Sequence, residues 1–177
     1  MNKKDKKIYT LSMAAVFAAL TAVLTAFLKV GTGINEGYIH FGDSIIYLAS
    51  SVLPLPFAMA SAAVGGAAAD ILAGAAVWAP FTAVIKALNA LVFRLLINKS
   101  RKANGIKIFS ARSVVASLIS GIVTVAGYFG ASSVLYSTEA AAVSIPFDLI
   151  QAAVSTAVFL IIGVSLDKTN FLNKYRG

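Results

Sequence analysis

From Ile8 to Leu28 the chain carries no charged residue, and about 20 predominantly apolar residues are what a helix needs to cross a bilayer. Apolar runs of similar character return at 57–73, 81–97, 111–134 and 145–166, parted by short polar segments. A soluble domain of this length would need far more charge on its surface than 12% of residues beside a hydrophobic fraction of 59%. The pattern predicts an all-α integral membrane protein, one domain over residues 1–177.

Six helices are expected, at 8–28, 44–53, 57–73, 81–97, 111–134 and 145–166. The first follows Lys3, Lys4, Lys6 and Lys7, which resembles a secretory leader, but its apolar run is too long for one, so it reads as a retained helix. The second is too short to cross alone and is broken by Leu53-Pro54-Leu55-Pro56. The sixth is predicted to begin at Ile145, with Pro146 in its first turn, where a missing N–H costs little. Residues 98–110 read as a solvated basic loop.

A net charge of +8 does not point to nucleic acid, because the basic residues cluster between apolar runs instead of lining one face. With six helices, every Lys and Arg but Lys29 and Lys86 falls on one side. That side is therefore expected to be cytoplasmic, with both termini on it.

Several chemistries are excluded. There is no cysteine and only one histidine, so thiolate and histidine-built metal sites are not expected. No phosphate-binding G-x-x-x-x-G-K-[ST] loop and no nucleophile motif occurs. The chain reads as neither an enzyme nor a self-powered pump, and no cofactor is expected.

Against that background the ionisable residues of the apolar stretch from Glu36 to Asn89 stand out, since each is costly in a membrane and marks a functional site by default. They are Glu36, His40, Asp43, Asp70 and Lys86. Asp43 also reads as a helix N-cap, and Trp78 as an interfacial anchor. Asp70 and Lys86 fall at similar depth in an antiparallel helix pair. There they either offset each other's desolvation or face a ligand. Asn89, Tyr128, Asp148 and Gln151 approach the same external end, although Asp148 also suits a helix N-terminus electrostatically. Ala14, Ala18, Ala22 and Ala26 recur on one face of the first helix, which suits either packing in the bundle or docking of a second membrane protein.

Gly37-Tyr38-Ile39-His40-Phe41-Gly42-Asp43, then Gly65-Gly66 with Ala69-Asp70, then Trp78-Ala79-Pro80 and Ile85-Lys86, resemble the substrate-binding S component of energy-coupling factor (ECF) vitamin transporters. The similarity is to the branch grouping riboflavin-type with hydroxymethylpyrimidine- or pyridoxine-type members. It implies capture of a water-soluble vitamin or precursor, here of pyridoxine or pyrimidine type. It also implies docking through the alanine stripe onto a transmembrane scaffold subunit that works with two ATPase subunits. The segment from Gly31 to Gly42 would be a lid. By motif position the resemblance places His40, Asp43, Asp70, Trp78 and Lys86 at the ligand. A self-contained secondary transporter using Asp70 and Lys86, and a membrane scaffold without a ligand, are the competing readings.

Overall fold

The computed structural model describes residues 2–31, 38–104 and 108–169. Glu36, Lys107, Lys174, Arg176 and the middle of the segment from Gly31 to Gly42 lie outside the described residues. Among the described residues there are six α-helices: α1 (Lys3–Ala26), α2 (Gly42–Val52), α3 (Leu55–Leu72), α4 (Ala79–Asn104), α5 (Ala111–Leu135) and α6 (Thr138–Lys168). The fold is the expected all-α membrane bundle, with five helices long and apolar enough to span. α2, at 11 residues, covers only about 16 Å and cannot cross.

Burial is arranged for lipid. Val115, Leu118, Ile119, Ile122 and Ile161 are exposed, while Ser113, Ser117, Ser120, Thr124 and Ser155 are buried. With a bilayer as solvent, the apolar face needs no cover and the polar side chains turn inward.

Three boundaries differ by more than two residues from those read in the sequence. α1 begins five residues early, because Asn2 caps it by accepting from Asp5 N at 2.8 Å. α4 continues through Asn104, because Lys and Arg are good helix formers and no Gly or Pro intervenes until Gly105. α6 begins at Thr138, capped by Ser137, whose side chain accepts from Ala140 N at 3.2 Å. Pro146 therefore lies inside α6 instead of in its first turn. The cap and the alanines after it start the helix before the proline can define its end.

One departure from pure helix matters for the site. β1 (Lys29–Gly31) and β2 (Tyr38–His40) form an antiparallel ribbon in the register Lys29↔His40, Val30↔Ile39 and Gly31↔Tyr38. It carries His40 over the start of α2.

The alanine stripe of α1 is used internally. Ala14, Ala22 and Ala26 are buried and Ala18 is half-buried. Ala14 packs with Ala49, Leu53 and Ala58 of α2 and α3. A Cβ on Gly65 would come within 2.7 Å of the Ala18 carbonyl oxygen, and one on Gly66 within 2.9 Å of the Thr82 and Lys86 side chains. Adjacent glycines thus let α3 press on α1 with one side and α4 with the other. These alanines thus serve the chain's own packing, one of the two uses their spacing suits. Small residues of α1 that face outward include Ser12, Ala15 and Ala19.

Candidate functional site

The site is a polar layer between two aromatic ones. At one end Tyr47 of α2 stacks on Phe93 of α4 with ring centroids 5.0 Å apart, and Phe159 of α6 meets both edge-on at 5.6 and 5.4 Å. At the other end Trp78 lies 6.0 Å from Tyr128 and 6.0 Å from Tyr136, centroid to centroid. Trp78 is buried, so it is part of this inner aromatic layer and not the interfacial anchor its position in the sequence suggests.

Between these layers four helices each present polar residues at helical spacing. α2 brings Asp43 and Tyr47, α4 brings Thr82, Lys86 and Asn89, α5 brings Ser120, Thr124 and Tyr128, and α6 brings Asp148, Gln151 and Ser155. At the centre Lys86 Nζ donates to Asp43 Oδ1 at 2.6 Å, with both side chains excluded from solvent. The same ammonium stands 5.0 Å from the centroid of the Tyr128 ring, a distance at which the ring's quadrupole attracts a cation.

Two expectations change here. Asp43 lies within the first turn of α2, which is capped at Phe41 without a side-chain bond; its carboxylate serves Lys86 and not the helix end. Lys86 is accordingly bonded across to α2, and not to Asp70. Asp70 is buried on α3, four residues beyond the glycine that packs on Thr82 and Lys86. Its charge, with those of Asp43 and Asp148, is felt at the Tyr128 hydroxyl.

Around the pair, Asn89 Nδ2 donates to Thr124 Oγ1 at 2.6 Å, and the Thr124 hydroxyl lies 3.3 Å from the Ser120 carbonyl oxygen. Thr82 and Tyr128 share a hydroxyl–hydroxyl bond at 3.2 Å. Gln151 is buried beside Asp43, and Asp148, half-buried, lies within electrostatic reach of both Lys86 and Asp43. Asp43 Oδ2, Tyr47 Oη, Asn89 Oδ1 and Ser120 Oγ are buried with no well-formed hydrogen bond. Native proteins leave few such atoms unmet, and each one costs roughly 1–3 kcal/mol.

His40 closes the layer. Its Nδ1 accepts from Gly42 N at 3.0 Å, with the Thr25 hydroxyl 3.4 Å away, and its carbonyl oxygen accepts from Ser155 Oγ at 3.3 Å. An Nδ1 that accepts a proton's bond cannot carry the proton, so the ring is neutral. Burial first, and then the Lys86 charge, bring its pKa down to about 3, against a smaller opposing effect of Asp43. His40 thus ties α1, the ribbon, α2 and α6 together.

Of the side chains singled out in the sequence, Asp43, Lys86, Asn89, Tyr128 and Gln151 lie in this layer, His40, Trp78 and Asp148 border it, and Asp70 is buried on α3. Missed were Tyr47, Thr82, Ser120, Thr124 and Ser155. The signal for Ser120 and Thr124 was the series Ser113, Ser117, Ser120, Thr124 and Tyr128, which repeats a polar residue every three or four positions in an otherwise apolar helix. Among the described residues no group of His, Cys, Asp or Glu could hold a metal ion.

Residues 5–168 match the family described as ECF-type riboflavin transporter, S component. The chain is also similar to a protein of Pyrococcus woesei described as an uncharacterized protein in gap 3'region. The two are 31% identical over 131 residues, which is 73% of this chain and 82% of the relative.

Proposed function

Because the chain belongs to the ECF-type riboflavin transporter S-component family, a family of membrane vitamin-uptake subunits and not of enzymes, we propose that it holds its vitamin in the polar layer between the two aromatic ones. Asp43, Lys86 and Asn89 form the centre of that site, Gln151, Asp148 and Asp70 its polar wall, and Trp78 and Tyr128 its ring-binding face. His40 is a positioning residue, since its ring is committed to Gly42 and Thr25. The observation that carries the reading is a buried ion pair ringed by buried polar side chains from several helices.

The best ligand on this reading is a pyridoxine- or hydroxymethylpyrimidine-type vitamin or precursor, a small ring with polar substituents. Riboflavin is the second reading, favoured by the family description. The ribbon over α2 serves as the lid. Energy comes from a scaffold subunit with two ATPase subunits. Docking uses the outward face of α1 around Ala15 and Ala19, and the basic ends of the bundle face the cytoplasm.

Purified full-length chain, screened by thermal shift and native mass spectrometry against riboflavin, pyridoxine and hydroxymethylpyrimidine, tests this. A bound vitamin stabilises the native state by mass action, so one of them raises the melting temperature without ATP. No shift by any vitamin, at concentrations far above a nanomolar dissociation constant, overturns the receptor reading. Uptake into liposomes by this chain alone under an ion gradient overturns the dependence on a separate energising module.

A further inference from the structure

Between Ala79 and Ile97 the ionisable residues of α4 are Lys86 and Arg94, and both are bonded to α2. Lys86 meets Asp43 in the first turn of α2. Arg94 meets the other end, where its Nη1 donates to the Ser50 carbonyl oxygen at 2.8 Å. The two cations stand about 12 Å apart along α4, and their partners about 10 Å apart along α2. The helices therefore run side by side in one direction, with Tyr47 stacked on Phe93 between the two bonds.

The bond at Ser50 has its cause in the sequence. In a continuing helix that carbonyl would accept from the N–H four residues on. That residue is Pro54, which has no N–H to give. Ser50 is fully buried, and the N–H of Leu53 goes to the Ala49 carbonyl instead. Away from water an unmet carbonyl is costly. Arg94 supplies the donor that Pro54 withholds, at the end of α2 where the helix dipole favours a cation.

Satisfying that carbonyl also fixes where α2 sits. The apolar contacts around it are non-directional, whereas a hydrogen bond fails beyond about 3.5 Å. A slide of α2 by one turn, about 5.4 Å, would part Ser50 from Arg94 and Asp43 from Lys86 together.

We infer that Arg94 is a positioning residue for the site. By holding the C-terminal end of α2, beyond the Tyr47–Phe93 stack, it fixes the register in which Asp43 meets Lys86. The consequence for vitamin affinity rests on the receptor reading above; the consequence for the ion pair does not.

Full-length Arg94→Met, Arg94→Gln and Arg94→Lys in nanodiscs test this. The first readout needs no ligand. It is the proton–nitrogen NMR signal of the Lys86 ammonium, assigned by its absence from Lys86→Met. In Arg94→Met, which keeps the aliphatic stem and loses the donors, the signal is expected to shift and its exchange with water to quicken about tenfold. Arg94→Gln decides by the same criterion if Arg94→Met does not fold. Arg94→Lys, which keeps a charged donor, is expected to stay near the wild type. A lowered melting temperature with the Lys86 signal and its exchange unchanged means that Arg94 only stabilises the fold, and overturns the inference. So does an Arg94→Lys signal displaced as far as that of Arg94→Met.

The second readout is calorimetric titration with riboflavin, pyridoxine and hydroxymethylpyrimidine, well below the melting temperature. Whichever binds the wild type is expected to bind Arg94→Met about tenfold more weakly. Equal affinity overturns the inference and leaves the receptor reading standing. No binding by the wild type overturns the receptor reading, while the ammonium signal still decides whether Arg94 sets the register.

Discussion

Lys86 of α4 and Asp43 of α2 form an ion pair at 2.6 Å with neither side chain reaching solvent, so α2, too short to span the bilayer, is fastened to a spanning helix. Removing one member leaves the other charged and buried, which costs about 3–5 kcal/mol, whereas removing both together is far less costly. Lys86→Met and Asp43→Asn should each lower stability by that order, and the double variant should recover at least half. A double-mutant cycle by chemical denaturation in detergent measures it. Additive losses would mean that the two groups do not act as a pair.

Gly42 marks where α2 passes α1: a Cβ there would overlap the Thr25 hydroxyl. Gly42→Ala is expected to cost about 1–3 kcal/mol by overpacking. Adding Thr25→Ala removes the obstructing oxygen and should restore part of the loss. Thermal unfolding of the two single variants and the double is the check, and a double variant no better than Gly42→Ala alone contradicts the assigned clash.

His40 gives a pH dependence with a definite sign. Its pKa is about 3 in the fold and about 6.5 in the unfolded chain, so between these values the unfolded state takes up a proton that the native state refuses. Stability is therefore intact above about pH 6.5 and declines as pH falls toward 3. Lys86 and Asp43 are the charged groups acting on the ring. His40→Gln, which cannot titrate, should melt lower at pH 7.5 but lose less between pH 7.5 and 4.5. Parallel curves for the two proteins would show that His40 does not titrate as described.

On α1 the inward and outward alanines should separate cleanly. Ala22→Leu overfills a buried position and is expected to reduce stability by about 1–3 kcal/mol. Ala15→Leu and Ala19→Phe, on exposed positions, should leave folding and vitamin binding intact while reducing co-purification with the scaffold subunit several-fold. Unaltered co-purification would move the docking surface elsewhere.

The helices were legible because their apolar runs are long, and α2 was legible as a short one because Pro54 and Pro56 end it. The buried ionisable residues were legible from their cost in a membrane. The partner of Lys86 was not: equal depth in the α3–α4 pair pointed to Asp70, but that reasoning ignores α2, which packs against α4 and brings Asp43 to it. The inner face of α1 was legible from the four-residue spacing of Ala14, Ala18, Ala22 and Ala26, although that spacing alone did not say whether the face packs in the bundle or against another protein. Serine and threonine hydroxyls were the quietest. Those of Ser51, Ser117 and Ser133 bond carbonyls of their own helices, so their presence alone does not announce a partner.

The rings of Tyr47, Phe93 and Phe159 have a mechanical consequence. Stacked and edge-on contacts among α2, α4 and α6 brace three helices at one end of the polar layer. A displacement of the short α2 therefore has to carry two spanning helices with it.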